Sequence, residues 1–261
     1  MRPLNQLELP ADGLLGVLMD IDDTLTEGGK LVPAAFQALS DLSSAGLLVI
    51  PVTGRPAGWC DLIARQWPVD AVIGENGAFA FYEAEQRLQH FFHPAIDPER
   101  ARAQLDTVRD AILSSVNGAR VSKDQPYRLF DLAIDFREEP PDLGLAAAEQ
   151  IRAIFEACGA RAKVSSIHVN GWFGDYDKLS MTQEFLRSRY GYPSETIRDR
   201  FVFVGDSPND GPMFEFFPLA VGVANVRRFA DQLAHAPAFV TESEGGTGFA
   251  EVTRVLLEPD A

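Results

Sequence analysis

The chain has 261 residues, 46% of them hydrophobic and 23% charged, with 18 Phe available to fill cores. That is enough for one large domain or two modest ones of ordinary globular composition. The formal net charge of −15 argues against a nucleic-acid backbone as partner, because nothing basic is left to displace its counterions, yet it tolerates a small phosphorylated guest where local cations neutralise it.

Leu14–Met19 is an apolar run that stops at Asp20, Asp22 and Asp23, as a strand buried on both faces would. The carboxylates then lie beyond its carboxyl end, where open α/β sheets place ligands. Asp20 and Asp22 fall on one side of an extended backbone, and such a close pair calls for a cation, a proton or an exposed loop. Pro33–Ala45 has helical spacing, Leu47–Val52 is a second buried strand ending at Thr53-Gly54-Arg55, and Pro56 opens another helix carrying Trp59, Leu62 and Ile63. Ala71–Ile73 is a short third strand before Glu75-Asn76-Gly77. Strand and helix alternating at this spacing predict a doubly wound parallel sheet.

The pattern changes at Ala78. Phe79–Tyr82 and Leu88–Phe92 predict a hairpin, Pro98–Val116 and Gly144–Cys158 predict helices, and Leu129–Arg137 and Val164–Phe173 alternate as one-sided strands. Asp131, Asp135 and Arg137 share one face of the first of these strands; Ser166, His168, Asn170 and Trp172 share a face of the second. The expected fold class is therefore an α/β, doubly wound core, residues 1–78 and 175–261, with an inserted α+β cap, residues 79–174. From Lys178 the core pattern resumes through a helix at Ser180–Tyr190, a strand at Phe201–Val204, short strands at Ala220–Val223 and Ala238–Val240, and a closing helix at Phe249–Leu257.

No segment has the length of a membrane span, and MRPLNQLELPADG carries no signal-like apolar stretch. Cys60 and Cys158 fit no metal spacing and sit in apolar helical patterns, so two buried free thiols in a cytoplasmic protein are expected.

Polar clusters follow three core strands: Asp20 and Asp22, Thr53, and Asp206 with Asn209 and Asp210. Parallel strands bring these ends to one edge. Oxygen ligands without His or Cys suit Mg²⁺ better than zinc, and Lys178, one of four lysines, adds a cation fit for an anionic guest.

DIDDT, the Thr of VTGR, a lysine after an insertion, and GDSPND resemble the haloacid dehalogenase-like phosphatases, in that family's motif order and over essentially the whole chain. ENGA and the insertion resemble the subgroup with a large α/β cap, and GDSPNDGPMF resembles its sucrose-phosphate and mannosyl-3-phosphoglycerate phosphatases, although TGR stands where the latter more usually have serine-lysine. The resemblance implies Asp20 as nucleophile, Asp22 as acid and base, Thr53 and Lys178 as partners of the phosphoryl group, and Mg²⁺ on Asp20, Asp206 and the Asp22 carbonyl. Asn209 and Asp210 would orient and complete the metal shell. A sugar phosphate or similar small metabolite is the implied substrate. A phosphomutase of the same superfamily and a non-catalytic metabolite-binding protein are the alternatives; dehalogenases typically lack the second aspartate, which is present here.

Substrate contacts outside the motifs are expected from Asp135, Arg137, His168, Asn170 and Trp172, if that sheet face closes over the pocket rather than facing solvent. Arg55 would reach the substrate or tie cap to core. Asn76 would line the site or merely form an Asn-Gly turn.

Overall fold

Val17, Leu18 and Met19 are wholly buried, so the run before Asp20 is a strand covered on both faces. The computed structural model describes residues 1–165 and 167–258; Ser166, expected on a cap strand, and residues 259–261, expected in the core, lie outside the described residues. In chain order the first elements are β1 (Arg2–Pro3), β2 (Gly16–Met19), β3 (Thr26–Glu27), β4 (Lys30–Leu31), α1 (Pro33–Ser44), β5 (Leu48–Pro51), α2 (Ala57–Gln66) and β6 (Val72–Gly74). The middle of the chain forms β7 (Phe79–Ala84), β8 (Arg87–Phe92), α3 (Pro98–Ser115), β9 (Arg120–Val121), β10 (Asp131–Asp135), α4 (Gly144–Ala157), β11 (Arg161–Val164) and β12 (His168–Trp172). Then follow α5 (Lys178–Tyr190), α6 (Ser194–Arg200), β13 (Phe201–Gly205), α7 (Gly211–Phe216), β14 (Ala220–Gly222), β15 (Phe239–Val240) and α8 (Gly245–Leu257).

The main sheet has six strands in the order β1-β15-β14-β13-β2-β5, and every pairing is parallel. Alternate side chains of its strands feed two cores. Val17, Met19, Val49, Val202 and Val204 meet α1, α2 and α8 through Leu39, Ile63 and Phe249. Leu18, Ile50, Phe201 and Phe203 meet α5, α6 and α7 through Phe185, Ile197 and Met213. This is a doubly wound α/β core.

The hairpin β7–β8, expected to open the cap, instead extends the core. β7 pairs antiparallel with β6, and β6 joins the main sheet through a parallel bridge between Val52 and Ile73. Phe79 and Phe81 stack at 4.3 Å and share a core cluster with Cys60 and Ile63 of α2. A hairpin pattern shows that two strands pair with each other; it is silent on a third.

Beyond the hairpin, α3 and α4 cover a four-stranded antiparallel sheet of order β11-β12-β10-β9. Its helix side packs Leu132, Ile134, Phe136 and Val169 on Ile112, Ile151 and Phe155. Its other side carries Asp131, Asp135, His168, Asn170 and Trp172, as the alternation predicts. Cys60 is buried, but Cys158 is exposed, a correction to the expectation of two buried thiols. The helix ends at Ala157, and Cys158 is its C-cap, turning out ahead of Gly159, whose φ is 81°. No helix among the described residues is long and apolar enough to cross a membrane.

Candidate active site

β2 and β13 run side by side, so Asp20 and Asp206 leave the sheet together. The Asp20 N–H donates to the Val204 carbonyl at 2.9 Å, continuing the ladder one residue past β2. Gly205 ends β13 where a Cβ would meet Asp210 Oδ2 at 2.5 Å, and this lack of a side chain lets Asp210 fold back. There Asp210 Oδ2 accepts the Asp206 N–H at 3.1 Å. One carboxylate oxygen from each of Asp20, Asp206 and Asp210 lies within 4.8 Å of the others, and all three residues are buried.

Lys178, the first residue of α5, supplies the local cation. Its Nζ is 3.2 Å from Asp20 Oδ2 and 2.9 Å from Asp210 Oδ1. Asp177 caps that helix, accepting the Ser180 N–H at 2.8 Å. Gly77, at φ 107°, makes room for the start of α5: a Cβ there would lie 2.1 Å from the Asp177 carbonyl oxygen. Burial works against the Lys178 charge, but Asp20 and Asp210 outweigh it and hold the ammonium above its ordinary range. One ammonium is too little for three carboxylates. Burial, partly offset by Lys178 and reinforced by Asp210 and Asp22, pushes Asp20 up to about 7. Burial, with Asp210 and Asp20, likewise raises Asp206 well above the usual carboxylate range. An all-oxygen, buried, under-neutralised trio fits a hard divalent cation.

Asp22 lines the same cavity, and Arg55 holds both of its oxygens: Nε to Oδ2 at 2.9 Å and Nη2 to Oδ1 at 2.6 Å. Arg55 also stacks on Trp59, 4.3 Å from the ring centre. Thr53 is fully buried and does not line the cavity; its hydroxyl accepts the Arg55 N–H at 3.0 Å. Lys178 and Asp210 also stand outside the lining, in contact with Asp20 and Asp206 respectively, which form part of it.

The turn after β6 is strained. Glu75 and Asn76 have φ of 45° and 56°. Glu75 is wholly buried and accepts four main-chain N–H groups, from Ala57, Leu129, Phe130 and Asp131. It thus ties the core to the segment entering β10. Burial and Asp131, against Leu129, Arg128 and Phe130, push Glu75 up to about 8. The turn presents Asn76 to the cavity, and the buried Asn76 Nδ2 has no hydrogen-bond partner among the described residues.

From the cap sheet, His168 and Asn170 reach the cavity wall, joined by Lys163, Ser165 and Ile167. His168 Nε2 is 2.8 Å from Glu138 Oε2, and Glu138 Oε1 is 3.9 Å from Arg55. Asn170 Nδ2 donates to Asp131 Oδ2 at 2.8 Å, and Arg128 holds Asp131 and Asp124 while donating to the Gly54 carbonyl. The other three expected cap residues are not on the wall, a correction to that part of the reading. Asp135 binds Arg120 and the N–H groups of Arg137 and Glu138. Arg137 pairs with Asp142 near the surface. Trp172 is buried against Tyr176, donating its Nε1–H to the Tyr176 carbonyl at 3.1 Å. Asn209 lines the cavity, its Oδ1 accepting the Ser207 hydroxyl at 2.7 Å.

Sequence reasoning missed Glu75, Glu138, Arg128, Thr24 and Asn225. The Thr24 hydroxyl donates to Asp206 Oδ1 at 3.3 Å, and Asn225 Nδ2 approaches Asp206 Oδ2 at the same distance. Only Glu75 and Thr24 carried a signal, as members of the ENGA and DIDDT motifs already singled out.

Comparison with known proteins agrees with this geometry. The sequence model of the haloacid dehalogenase-like hydrolases matches residues 17–135. A phosphoglycolate phosphatase of Haloarcula marismortui is 28% identical over 247 residues, which cover 90% of this chain and 94% of that protein. Among solved structures, a Thermoplasma acidophilum protein superposes with a TM-score of 0.71 at 19% identity, covering 94% of this chain and 99% of that one. The sucrose-phosphatase of Synechocystis, solved with sucrose and phosphate, has a TM-score of 0.64 at 16% identity, with 94% and 98% covered. Over residues 17–135 the chain is thus similar to the haloacid dehalogenase-like hydrolases.

Proposed function

We propose that the enzyme hydrolyses phosphate monoesters of small metabolites, with Mg²⁺, through a phosphoaspartate on Asp20. The observation that carries this is the meeting of Asp20, Asp22 and Asp206 at one cavity, with Lys178 bridging Asp20 and Asp210 behind it. Asp20, Asp206 and the Asp22 main-chain carbonyl would hold the metal, with Asp210 and Asn209 completing its surroundings. When bound, Mg²⁺ would offset charge gathering on the phosphoryl oxygens.

The chain's own groups do the rest. A carboxylate oxygen of Asp20 bonds to phosphorus as the ester P–O bond breaks, and the leaving oxygen takes a proton from Asp22. Water then gives one of its own protons to the Asp22 carboxylate while its oxygen attacks phosphorus. The aspartyl–phosphate P–O bond breaks, releasing inorganic phosphate and restoring Asp20. Lys178 balances the charge of Asp20, and Thr53 fixes the Arg55 main chain. Positioning and electrostatics carry most of such a transfer.

The related archaeal enzyme is named for phosphoglycolate and the Synechocystis one for a sucrose ester, so both a short phosphorylated acid and a sugar phosphate fall within the substrate range. Free thiols at Cys60 and Cys158 suit a reducing, cytoplasmic setting. The test is release of inorganic phosphate from a panel of phosphorylated metabolites with Mg²⁺ present. Transfer of the phosphoryl group to a second hydroxyl without phosphate release would instead identify a mutase.

A further inference from the structure

Three cationic side chains line the cavity: Arg55, Arg128 and Lys163. Arg55 is taken by Asp22, and Arg128 by Asp124 and Asp131. Lys163 forms no ion pair among the described residues. It lies on β11 directly across from Asn170 of β12, so both side chains leave the same face of the cap sheet, the face turned to the core. Asn76 stands on the core wall of the same cavity, with a buried Nδ2 that donates to no atom of the described residues. Among the described residues, the wall thus offers a ligand a charged donor on the cap, Lys163, and a neutral one beside the Thr53–Arg55 turn, Asn76 Nδ2.

We propose, resting on the phosphatase reading above, that Lys163 recognises a carboxylate on the leaving group. The preferred substrates are then phosphate monoesters of short hydroxy acids. Lys163 supplies one full charge, which a single carboxylate matches. A second phosphate would bring up to two negative charges to a wall already holding Asp20, Asp22 and Asp206, leaving repulsion unbalanced. A neutral sugar would leave the ammonium without a counter-charge. Asn76 Nδ2 gives an oxygen of the bound ester the hydrogen bond that its buried position otherwise leaves unmade, which adds a cost to any ligand that cannot accept it.

The experiment compares 2-phosphoglycolate with 2-hydroxyethyl phosphate, which replaces the carboxylate by a hydroxymethyl group. The wild-type enzyme with Mg²⁺ is expected to favour the acid by at least about ten-fold in kcat/KM. Lys163→Ala should bring that ratio close to one, and Lys163→Arg, which keeps the charge, should retain most of the preference. Lys123→Ala removes an equal charge from a lysine that is 80% exposed and paired with Glu139, so it controls for the general field; its ratio should match wild type. A wild-type ratio near one overturns the proposal, as does an unchanged ratio in Lys163→Ala or an equal loss in Lys123→Ala. Failure to release phosphate from either ester or from p-nitrophenyl phosphate would overturn the phosphatase reading itself, a distinguishable result.

Discussion

Arg55 holds Asp22 by both carboxylate oxygens while its other amino group lies 3.9 Å from Glu138 of the cap. The residue given the role of acid and base is therefore positioned by a planar fork that also faces the cap. Arg55→Lys keeps a charge but cannot reproduce the two-pronged grip or the stacking on Trp59. It should lower kcat by roughly ten-fold or more with alkyl phosphates. Steady-state kinetics checks this, and an unaltered kcat would count against Arg55 as a positioning group.

The two lead aspartates should fail differently. Asp20→Asn is expected to abolish both turnover and the acid-quenched phosphoenzyme. Asp22→Asn keeps the nucleophile but loses the proton donor, so p-nitrophenyl phosphate, whose leaving group needs little protonation, should suffer far less than an alkyl phosphate. Equal losses on the two substrates would remove Asp22 from the acid role.

Metal should stabilise the folded state through the buried Asp20, Asp206 and Asp210 trio. At a Mg²⁺ concentration about 100 times its Kd, the gain is about 2.7 kcal/mol for one site. Thermal unfolding in EDTA and then in excess Mg²⁺ reads this as a rise in Tm. Activity that persists in EDTA, with no change in Tm, would exclude the metal.

Glu75 offers a pH-dependent test away from that trio. Its folded pKa is raised to about 8 from an ordinary value of 4.5. The folded state therefore keeps a proton that the unfolded chain releases. The stability linked to Glu75 is complete below the unfolded value and is lost as pH rises through about 8. Glu75→Gln presents an amide donor to main-chain N–H groups, which should cost about 1–3 kcal/mol at pH 5. Because Gln does not titrate, the gap between wild type and variant should narrow towards pH 9, as urea unfolding at constant Mg²⁺ would show. A gap that widens would mean that the four N–H donors dominate and hold Glu75 ionised.

The polar edge of the sheet was legible because buried strands and polar ends are both short-range patterns. Leu14–Met19 and Phe201–Val204 announce themselves as core, and the carboxylates follow at once. The same alternation placed His168 and Asn170 on the right face of the cap. It could not show that Trp172, two residues on, is buried under Tyr176, because distance from the cavity depends on sheet twist and neighbouring loops. Glu138 and Arg128 were invisible for a related reason. Besides its partners within the cap, each meets the core across a gap that only the packing of cap on core defines, Arg128 by donating to the Gly54 carbonyl and Glu138 by lying 3.9 Å from Arg55. The hairpin at Phe79 was read as cap because pairing partners leave no periodic mark.

The neighbours of β2 in the sheet are β5, which follows it closely in the chain, and β13, which is synthesised after the whole cap. The Thr24 hydroxyl reaches an aspartate 182 residues further on. A chain still emerging from the ribosome therefore carries Asp20 and Asp22 on a strand whose second edge is open, without Lys178 or Asp206. Its backbone donors must wait for almost the entire polypeptide, a long-range closure of the kind that slows folding and leaves strand edges exposed to other chains. The insertion that sits between the two halves of the core thus also sets the moment in biosynthesis at which Asp20 and Asp206 first meet.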